Sequence, residues 1–405
     1  MNDRKGVSSA DVPSLEARHY SSGLNSRFNS SNLSFAEYIA QSRDMIRKVR
    51  AENTVINLNK TVEGNSPFAL EPAGADIAGK EKKYRRGILL THGLSDSPYF
   101  MRHIAAFFQA RGFRVLSVLL PGHGTRPGDM LDIRWQEWVK CVEYGTNMLA
   151  AEVDEVYLGG YSAGGTLSIY QSLQDIRVRG LFLFAPALDI THRAAFANMH
   201  KLVSWLFSRV KWLDIKPDKD LYKYESFAIN TAAQMYALTR ALHAQLQSHE
   251  LTIPIFAVAS EDDKTVNTSV TIEFMLKQNN QADKMIVYTT DVKKLAQGYA
   301  VNKIEWVNSV VSEQKILGSA HTAILVPPDD EHYGIDGEYI NCIHYYPDEM
   351  EKYNACMMHP KECWQGEVTL ANLNAGTLRR LMYNPNFAAL KVSIAGFIDK
   401  LDKIQ

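Results

Sequence analysis

The sequence predicts an α/β protein: a mostly parallel central sheet with helices on both faces and a helical insertion between two of its strands. Three observations carry that expectation. Short apolar runs of strand length alternate with segments of helical periodicity from about residue 87 to residue 185. The runs are apolar at nearly every position, as strands covered on both faces must be. The alternation breaks over residues 187–252, which read as helical, and a further apolar run then resumes it.

Each element has its own signal. Residues 1–33 are rich in Ser and Asn with few large apolar side chains, which predicts a loose N-terminal arm. Phe35, Ile39, Ile46 and Val49 recur at helical spacing over 34–50, with Ser34 as N-cap and Glu37 completing a capping box. After a turn-rich stretch containing Pro67, Pro72 and Gly74, the run Gly87–Thr91 is the first core strand, ending at His92-Gly93. Ile104, Phe107 and Phe108 mark one face of a helix over Tyr99–Arg111, stopped by Gly112. Phe113–Leu120 is the next strand, closed by Pro121-Gly122-His123-Gly124. A helix from about Trp135 to Ala151 precedes the strand Glu155–Gly159. A sharp turn at Ser162, a helix to about Leu173 and the strand Leu181–Ala185 follow. Beyond the insertion, Ile253–Ala259, Met285–Thr289 and Gln314–Leu317 are expected as strands, with a second insertion at 291–311. Residues 34–405 are thus expected to form one domain. Its cap covers about 187–252, and an extended C-terminal segment at about 327–405 includes a stretch rich in Tyr, His and Cys.

Composition bounds the function. The chain has 405 residues, 46% hydrophobic and 22% charged, which is ordinary for a globular protein with a large core. Lys and Arg number 44 against 45 Asp and Glu, so a net charge of -1 gives no reason to expect nucleic acid as a partner. The N-terminus lacks the apolar stretch of a secretory signal, and no apolar run is long enough to span a bilayer, so a cytoplasmic location is the default. Cys141 falls in a helical pattern and reads as a small buried apolar residue. Cys342, Cys356 and Cys363, with His344 and His359 among them, lack the tight paired spacing of a structural zinc site. If the protein meets an oxidising compartment, Cys342 and Cys356 are the pair expected to bridge. No H-E-x-x-H helix, G-x-G-x-x-G or P-loop occurs, so neither a metal nor a nucleotide cofactor is expected.

The chemistry gathers around Gly160-Tyr161-Ser162-Ala163-Gly164, a G-x-S-x-G pattern between a strand and a helix. Two flanking glycines permit a turn tight enough to lift the hydroxyl clear of the sheet, and the helix N-terminus favours developing negative charge there. A serine hydroxyl needs a base, and the base needs a third group to orient it. In strand–turn–helix sites of this kind the order along the chain is Ser, acid, His. Ser260-Glu261-Asp262-Asp263 follows one late strand, and His321 lies beyond the run Gln314–Leu317. Both positions are at strand ends, where sites in open α/β sheets form. The oxyanion would be held by the N–H groups of Ala163, just after the serine, and Leu94, in the loop after the first core strand. His92 precedes the serine, the wrong order for the base, and reads as structural. His123 reads as a turn residue bonded to backbone.

On these stretches the sequence resembles a branch of the α/β-hydrolase serine hydrolases that includes monoacylglycerol lipases, bacterial carboxylesterases and lysophospholipase-like proteins. The matching residues are Thr91-His92-Gly93-Leu94-Ser95-Asp96-Ser97-Pro98, Leu120-Pro121-Gly122-His123-Gly124-Thr125 and Gly159-Gly160-Tyr161-Ser162-Ala163-Gly164-Gly165. The resemblance covers about 85–325. It implies an acid within a G-E-x-D-x-x-V stretch, here Ser260-Glu261-Asp262-Asp263-Lys264-Thr265-Val266, and so points to Asp263, with Ser260 in place of the first glycine. Asp262, one residue earlier, and Asp189, after the preceding strand, remain rivals for the acid. His332, His344 and His359 are rivals for the base, though no strand runs directly into them. The implied reaction is carboxylic ester hydrolysis through an acyl-enzyme on Ser162, without a cofactor, on a small or lipid-like ester. An amidase or aminopeptidase with the same three residues, and a non-catalytic binding protein, are the alternatives.

The insertion bears on substrate. Met199, Leu202, Val203, Leu206, Phe207 and Val210 line one face of a helical pattern, with Trp205, Trp212 and Leu213 adding bulk. This stripe either packs on the core or walls an acyl pocket with transient contact to a lipid surface, in which case Leu206 and Phe207 are substrate-binding residues.

Overall fold

The computed structural model describes residues 14–51, 57–74, 84–189, 208–296 and 303–404. The first half contains α1 (Phe35–Arg50), α2 (Leu58–Asn65), β1 (Phe68–Leu70), β2 (Tyr84–Thr91), α3 (Arg102–Ala110) and β3 (Arg114–Val118). It continues through α4 (Trp135–Glu152), β4 (Val153–Tyr161), α5 (Ala163–Ser172) and β5 (Val178–Phe184). Two short strands, β6 (Trp212–Asp214) and β7 (Phe227–Ala228), and the helix α6 (Ile229–Leu246) lie in the insertion. Then come β8 (Ile255–Ser260), α7 (Thr268–Lys277), β9 (Lys284–Thr289), α8 (Val292–Ala296) and β10 (Ile304–Asn308). The chain closes with α9 (Met350–Met358), β11 (Trp364–Gly366), α10 (Leu370–Ala375), β12 (Leu378–Arg380) and α11 (Phe387–Ile404).

Eight strands form one sheet in the order β1-β3-β2-β4-β5-β8-β9-β10. Only β1 is antiparallel to its neighbour. Alternation along each strand sorts the core into two layers. Leu89, Leu116, Leu158, Leu183 and Ala257 face α4, α5 and α6 through Trp138, Leu167 and Leu238. Ile88, Leu90, Val115, Phe182 and Phe256 face α3 and α11 through Ile104, Phe108, Ile394 and Phe397. From β2 the chain moves outward to β3, and from β4 it moves the other way to β5. The loops leaving the C-terminal ends of β2 and β4 therefore diverge and open a crevice, the position such sheets reserve for a site.

Several expectations need correction. The helix expected from Tyr99 opens as a 3₁₀ turn over Pro98–Met101, with proline at its start, and α3 begins at Arg102. Gln314–Leu317 is no strand: Lys315 turns left-handed at φ 56, and Ile316 makes only isolated bridges to Val311 and Gln365. The last strand of the sheet is instead β10, inside the supposed second insertion. The insertion at 187–252 was expected to hold no strand, yet β6 and β7 pair there. Leu206, Phe207 and most of their stripe lie outside the described residues.

Residues 14–33 depart from the loose arm expected of them. His19 and Asn25 are buried, and Asn25 donates to the His123 carbonyl at 2.7 Å while accepting from Gly122 N at 2.7 Å. Ser22 donates to Asp129 at 2.8 Å, and Arg18 to Asp218 at 3.1 Å. Polar side chains tie this segment down, so counting apolar residues could not reveal it. Among the described residues, no helix is long and apolar enough to cross a membrane.

Cys342 and Cys356 form a disulfide, while Cys141 and Cys363 are free and buried. Such bridges persist in oxidising compartments. Alkylation of unreduced, denatured protein should add two groups, and alkylation after reduction four. Intact mass reads the difference, and four groups without reduction would exclude the bridge.

Candidate active site

β4 ends at Tyr161 and α5 starts at Ala163, which leaves Ser162 alone at the corner with φ 54 and ψ -115. A side-chain-bearing residue holds such a conformation only when its surroundings compel it. Here Ser162 N–H donates to Phe184 O at 2.9 Å, and Ser162 O accepts from Gly165 N at 3.0 Å and Ala187 N at 3.1 Å. The flanking glycines are steric requirements. A Cβ on Gly160 would stand 2.1 Å from Gly164 O, and one on Gly164 would stand 2.0 Å from Thr91 O.

The Ser162 hydroxyl is 3.0 Å from Nε2 of His321, whose Nδ1 is 2.6 Å from Oδ2 of Asp263. All three side chains are buried. Nδ1–H donates to the carboxylate, so Nε2 is the lone-pair nitrogen facing the hydroxyl. The other Asp263 oxygen accepts from Thr265 N at 2.7 Å and Val266 N at 3.0 Å. Burial disfavours the Asp263 charge, but His321 and these hydrogen bonds outweigh it and hold the group below its ordinary pKa. Tyr161 braces His321, donating its hydroxyl to His321 O at 2.9 Å beneath the imidazole.

The rivals have other partners. Asp262 turns away and accepts from Ser309 Oγ at 2.7 Å and Ser319 N at 3.0 Å, joining the end of β10 to the His321 loop. Asp189 is half-buried at the end of the described segment 84–189. His332 sits between Asp220 at 3.2 Å and Glu338 at 3.3 Å. Burial pushes His344 down to about 4, and neither ring nitrogen has a partner among the described residues. His359 is at the surface near Glu362. His92 accepts from Leu120 N at 3.1 Å and donates to Gly93 O at 2.8 Å, which closes the turn after β2. His123 bonds the Leu120 and Pro121 carbonyls.

Two amides complete the arrangement. Among the described residues, neither Leu94 N–H nor Ala163 N–H donates to a protein acceptor. The Leu94 loop lies directly over the serine, since a Cβ on Gly93 would come within 3.2 Å of Ser162 Cβ. Sequence reasoning missed what holds that loop. Buried Asp96 pairs with Lys223 of the insertion, and Tyr224 N donates to Ser95 O at 2.9 Å. It also missed Glu367 and Arg380, which reach the His321 and Asp263 loops from the C-terminal segment. Asp96 stands in the stretch Thr91–Pro98 that carries the resemblance, but no motif surrounds its partner Lys223, or Glu367 and Arg380, so only the fold brings those to the site. Among the described residues, no three His, Cys, Asp or Glu side chains gather as a metal site.

A parallel sheet of this order, with a serine raised at the strand–helix corner, is the α/β-hydrolase fold. The pattern of the Hydrolase_4 family, serine aminopeptidase S33, matches residues 82–291, over half of the chain, and the chain belongs to that family of serine hydrolases. A thermostable monoacylglycerol lipase from Bacillus sp. (strain H-257) is 26% identical over 246 residues, 59% of this chain and 94% of its own. Among solved structures, one of the metagenome-derived lipolytic enzymes LipS and LipT is 19% identical with a TM-score of 0.46, covering 58% of this chain and 95% of its own. The monoacylglycerol lipase of Paleococcus ferrophilus is 14% identical with a TM-score of 0.43, covering 55% and 88%.

The adjacent aspartates should respond oppositely to acid. The Asp263 pKa is lowered by folding, so its stabilisation is present above its unfolded value and lost as pH falls through the folded one. The Asp262 pKa is raised, mainly by burial, so its contribution is full at low pH and lost as pH rises through the folded value. The stability deficit of Asp263→Asn should therefore shrink on acidification, while that of Asp262→Asn grows. Urea midpoints at pH 7 and pH 3 test this, and deficits moving in the same direction would refute it.

Proposed function

We propose that this chain hydrolyses carboxylic esters through an acyl-enzyme on Ser162. The observation that carries the reading is the hydrogen-bonded line from Ser162 through His321 to Asp263, with two unengaged amides beside the hydroxyl. Ser162 Oγ attacks the ester carbonyl while Nε2 of His321 takes its proton. Asp263 holds the ring in the correct tautomer and stabilises the imidazolium. The carbonyl oxygen, now negative, accepts from Leu94 N–H and Ala163 N–H. Collapse breaks the bond to the alcohol, which leaves with the proton from His321 and leaves the acyl group on Ser162. Water then attacks with His321 again as base, and the acid departs as the serine regains its proton.

A small or lipid-like ester is the substrate class. The stripe Met199, Leu202, Val203, Leu206, Phe207 and Val210 supports an apolar acyl side, with the insertion touching a lipid surface transiently. The name monoacylglycerol lipase carried by the Bacillus relative supports the same class. The family description also names an aminopeptidase, so aminoacyl amides belong in the test.

Ser162→Ala should leave a folded protein whose ester turnover falls by several orders of magnitude. Asp263→Asn should lose about 10⁴-fold in kcat, with Asp262→Asn far less affected. Near wild-type turnover in Ser162→Ala would sink the mechanism. Each methylene buried against the stripe is worth about 0.8 kcal/mol, so kcat/KM should rise from acetyl to medium acyl 4-nitrophenyl esters. Phe207→Asp should flatten that rise while sparing the acetyl ester. A flat wild-type profile, or preference for aminoacyl amides, would overturn the acyl-ester assignment.

A further inference from the structure

The loop that presents His321 has no strand of the main sheet leading into it. The C-terminal segment supplies the support instead. Leu317 N donates to Gln365 O at 2.8 Å, and Gln365 N donates to Lys315 O at 2.9 Å. On the far side, Thr322 Oγ1 donates to Leu381 O at 2.8 Å and Asn384 N to Val326 O at 2.7 Å. β11 and β12, paired in parallel, hold these two grips in register.

Glu367 follows β11, and Arg380 ends β12. The Glu367 carboxylate is 1% exposed and accepts the backbone N–H of His321 itself at 3.1 Å. Arg380 meets both carboxylate oxygens: Nη2 donates to Oε2 at 2.8 Å, and Nε lies 2.8 Å from Oε1 as an ion-pair contact without hydrogen-bond geometry. The same guanidinium donates to Thr265 Oγ1 at 2.8 Å, and Thr265 N–H is one of the donors holding Asp263. One ion pair thus joins the loop of the base to the loop of the acid. Three parts of the chain meet there: residues 263–266, His321 and the C-terminal segment.

We propose that Glu367 and Arg380 are positioning residues, an ion pair of a buried carboxylate and a partly buried guanidinium that sets His321 between Asp263 and Ser162. The proposal rests on the reading of Ser162 as nucleophile and adds the C-terminal segment to the working site. Neither residue touches the reacting atoms. Glu367 acts through His321, and Arg380 through Glu367 and the Thr265 that holds Asp263. The pair also balances charge, because among the described residues neither member has a second full charge bonded to it. The charged and titratable groups facing His321 are Asp263 from its own loop, Glu367 and Arg380 from the C-terminal segment, Asp96 with Lys223 across the crevice, and the Tyr161 phenol.

The test uses full-length protein, 4-nitrophenyl butyrate, and a fluorophosphonate that labels Ser162. Glu367→Gln keeps an acceptor for His321 N–H but removes the negative charge, so the imidazolium is disfavoured. The acid limb of the kcat/KM profile should move to lower pH by about half a unit or more. Arg380→Gln leaves the negative charge alone, and the limb should move to higher pH. The double variant Glu367→Gln/Arg380→Gln should return the limb to its wild-type position. Its kcat and labelling rate should stay down by about 10²-fold from lost alignment, with KM little changed. A purely structural role would lower Tm without opposite shifts of the limb. Should a single variant fold poorly, the double variant, with no unpaired charge left buried, decides through its kcat and KM. Wild-type kcat in the double variant, or single-variant limbs that do not move, would overturn the proposal. Wild-type protein that neither hydrolyses the ester nor takes the label would instead sink the ester-hydrolase reading.

Discussion

The backbone of Ser162 occupies a left-handed conformation that its own side chain resists, and the surrounding architecture is what keeps it there. β5 supplies the carbonyl that takes its N–H, and Gly165 and Ala187 take up its carbonyl. β2 passes so close that position 164 has no room for a Cβ. The corner thus depends on β2, β4 and β5 lying side by side in register, with Thr91 opposite Gly160 and Tyr161 opposite Phe184. The strain is modest beside the large buried layers on both faces of the sheet, and its consequence is a hydroxyl raised at the crevice where the loops after β2 and β4 part. The Leu94 loop closes over that crevice because β2 ends beside β4.

This geometry explains which parts of the site were legible in the sequence. Ser162, Ala163 and Leu94 sit where a strand becomes a turn, and the residues forcing those turns are adjacent in sequence, so a local pattern exposes them. Asp263 was harder, since Asp262 is just as close to the end of β8. The two differ only in the direction each side chain takes, one toward His321 and one toward Ser309 and Ser319. Resemblance chose between them because no local rule does. His321 was proposed for a partly mistaken reason. Its supposed strand, Gln314–Leu317, is a turn and a pair of isolated bridges, and the support comes from residues roughly fifty positions downstream.

What stayed hidden shares one physical character: it is polar, and it is held by partners distant along the chain. Asn25 on the turn at His123, Asp96 with Lys223, and Glu367 with Arg380 all satisfy buried groups across long separations. Periodicity reads apolar faces, because burying them is a local property of a helix or strand. A buried polar contact is fixed by two places at once, and each end alone looks like an ordinary surface residue. The residues 14–33 illustrate this most plainly, since a composition typical of a loose arm packs here through hydrogen bonds to Gly122, His123 and Asp129.

The same character bears on how the site responds to perturbation. An apolar core loses stability gradually as methylenes are removed, whereas a buried ion pair is strongly destabilised when one member goes and far less when both are replaced. The Leu94 loop and the His321 loop are each anchored by a pair whose carboxylate is buried and whose cation is partly so, Asp96–Lys223 on one side and Glu367–Arg380 on the other. Both pairs reach the crevice from outside the strand–turn–helix unit that carries Ser162, one from the insertion and one from the C-terminal segment. The serine corner belongs to the sheet and should persist as long as the sheet does. His321 and the Leu94 amide are tethered through segments outside that unit, and segments at the edge of a fold generally open locally at lower cost than global unfolding. Loss of alignment should therefore precede loss of fold, with the Ser162 hydroxyl still raised but no longer met by His321.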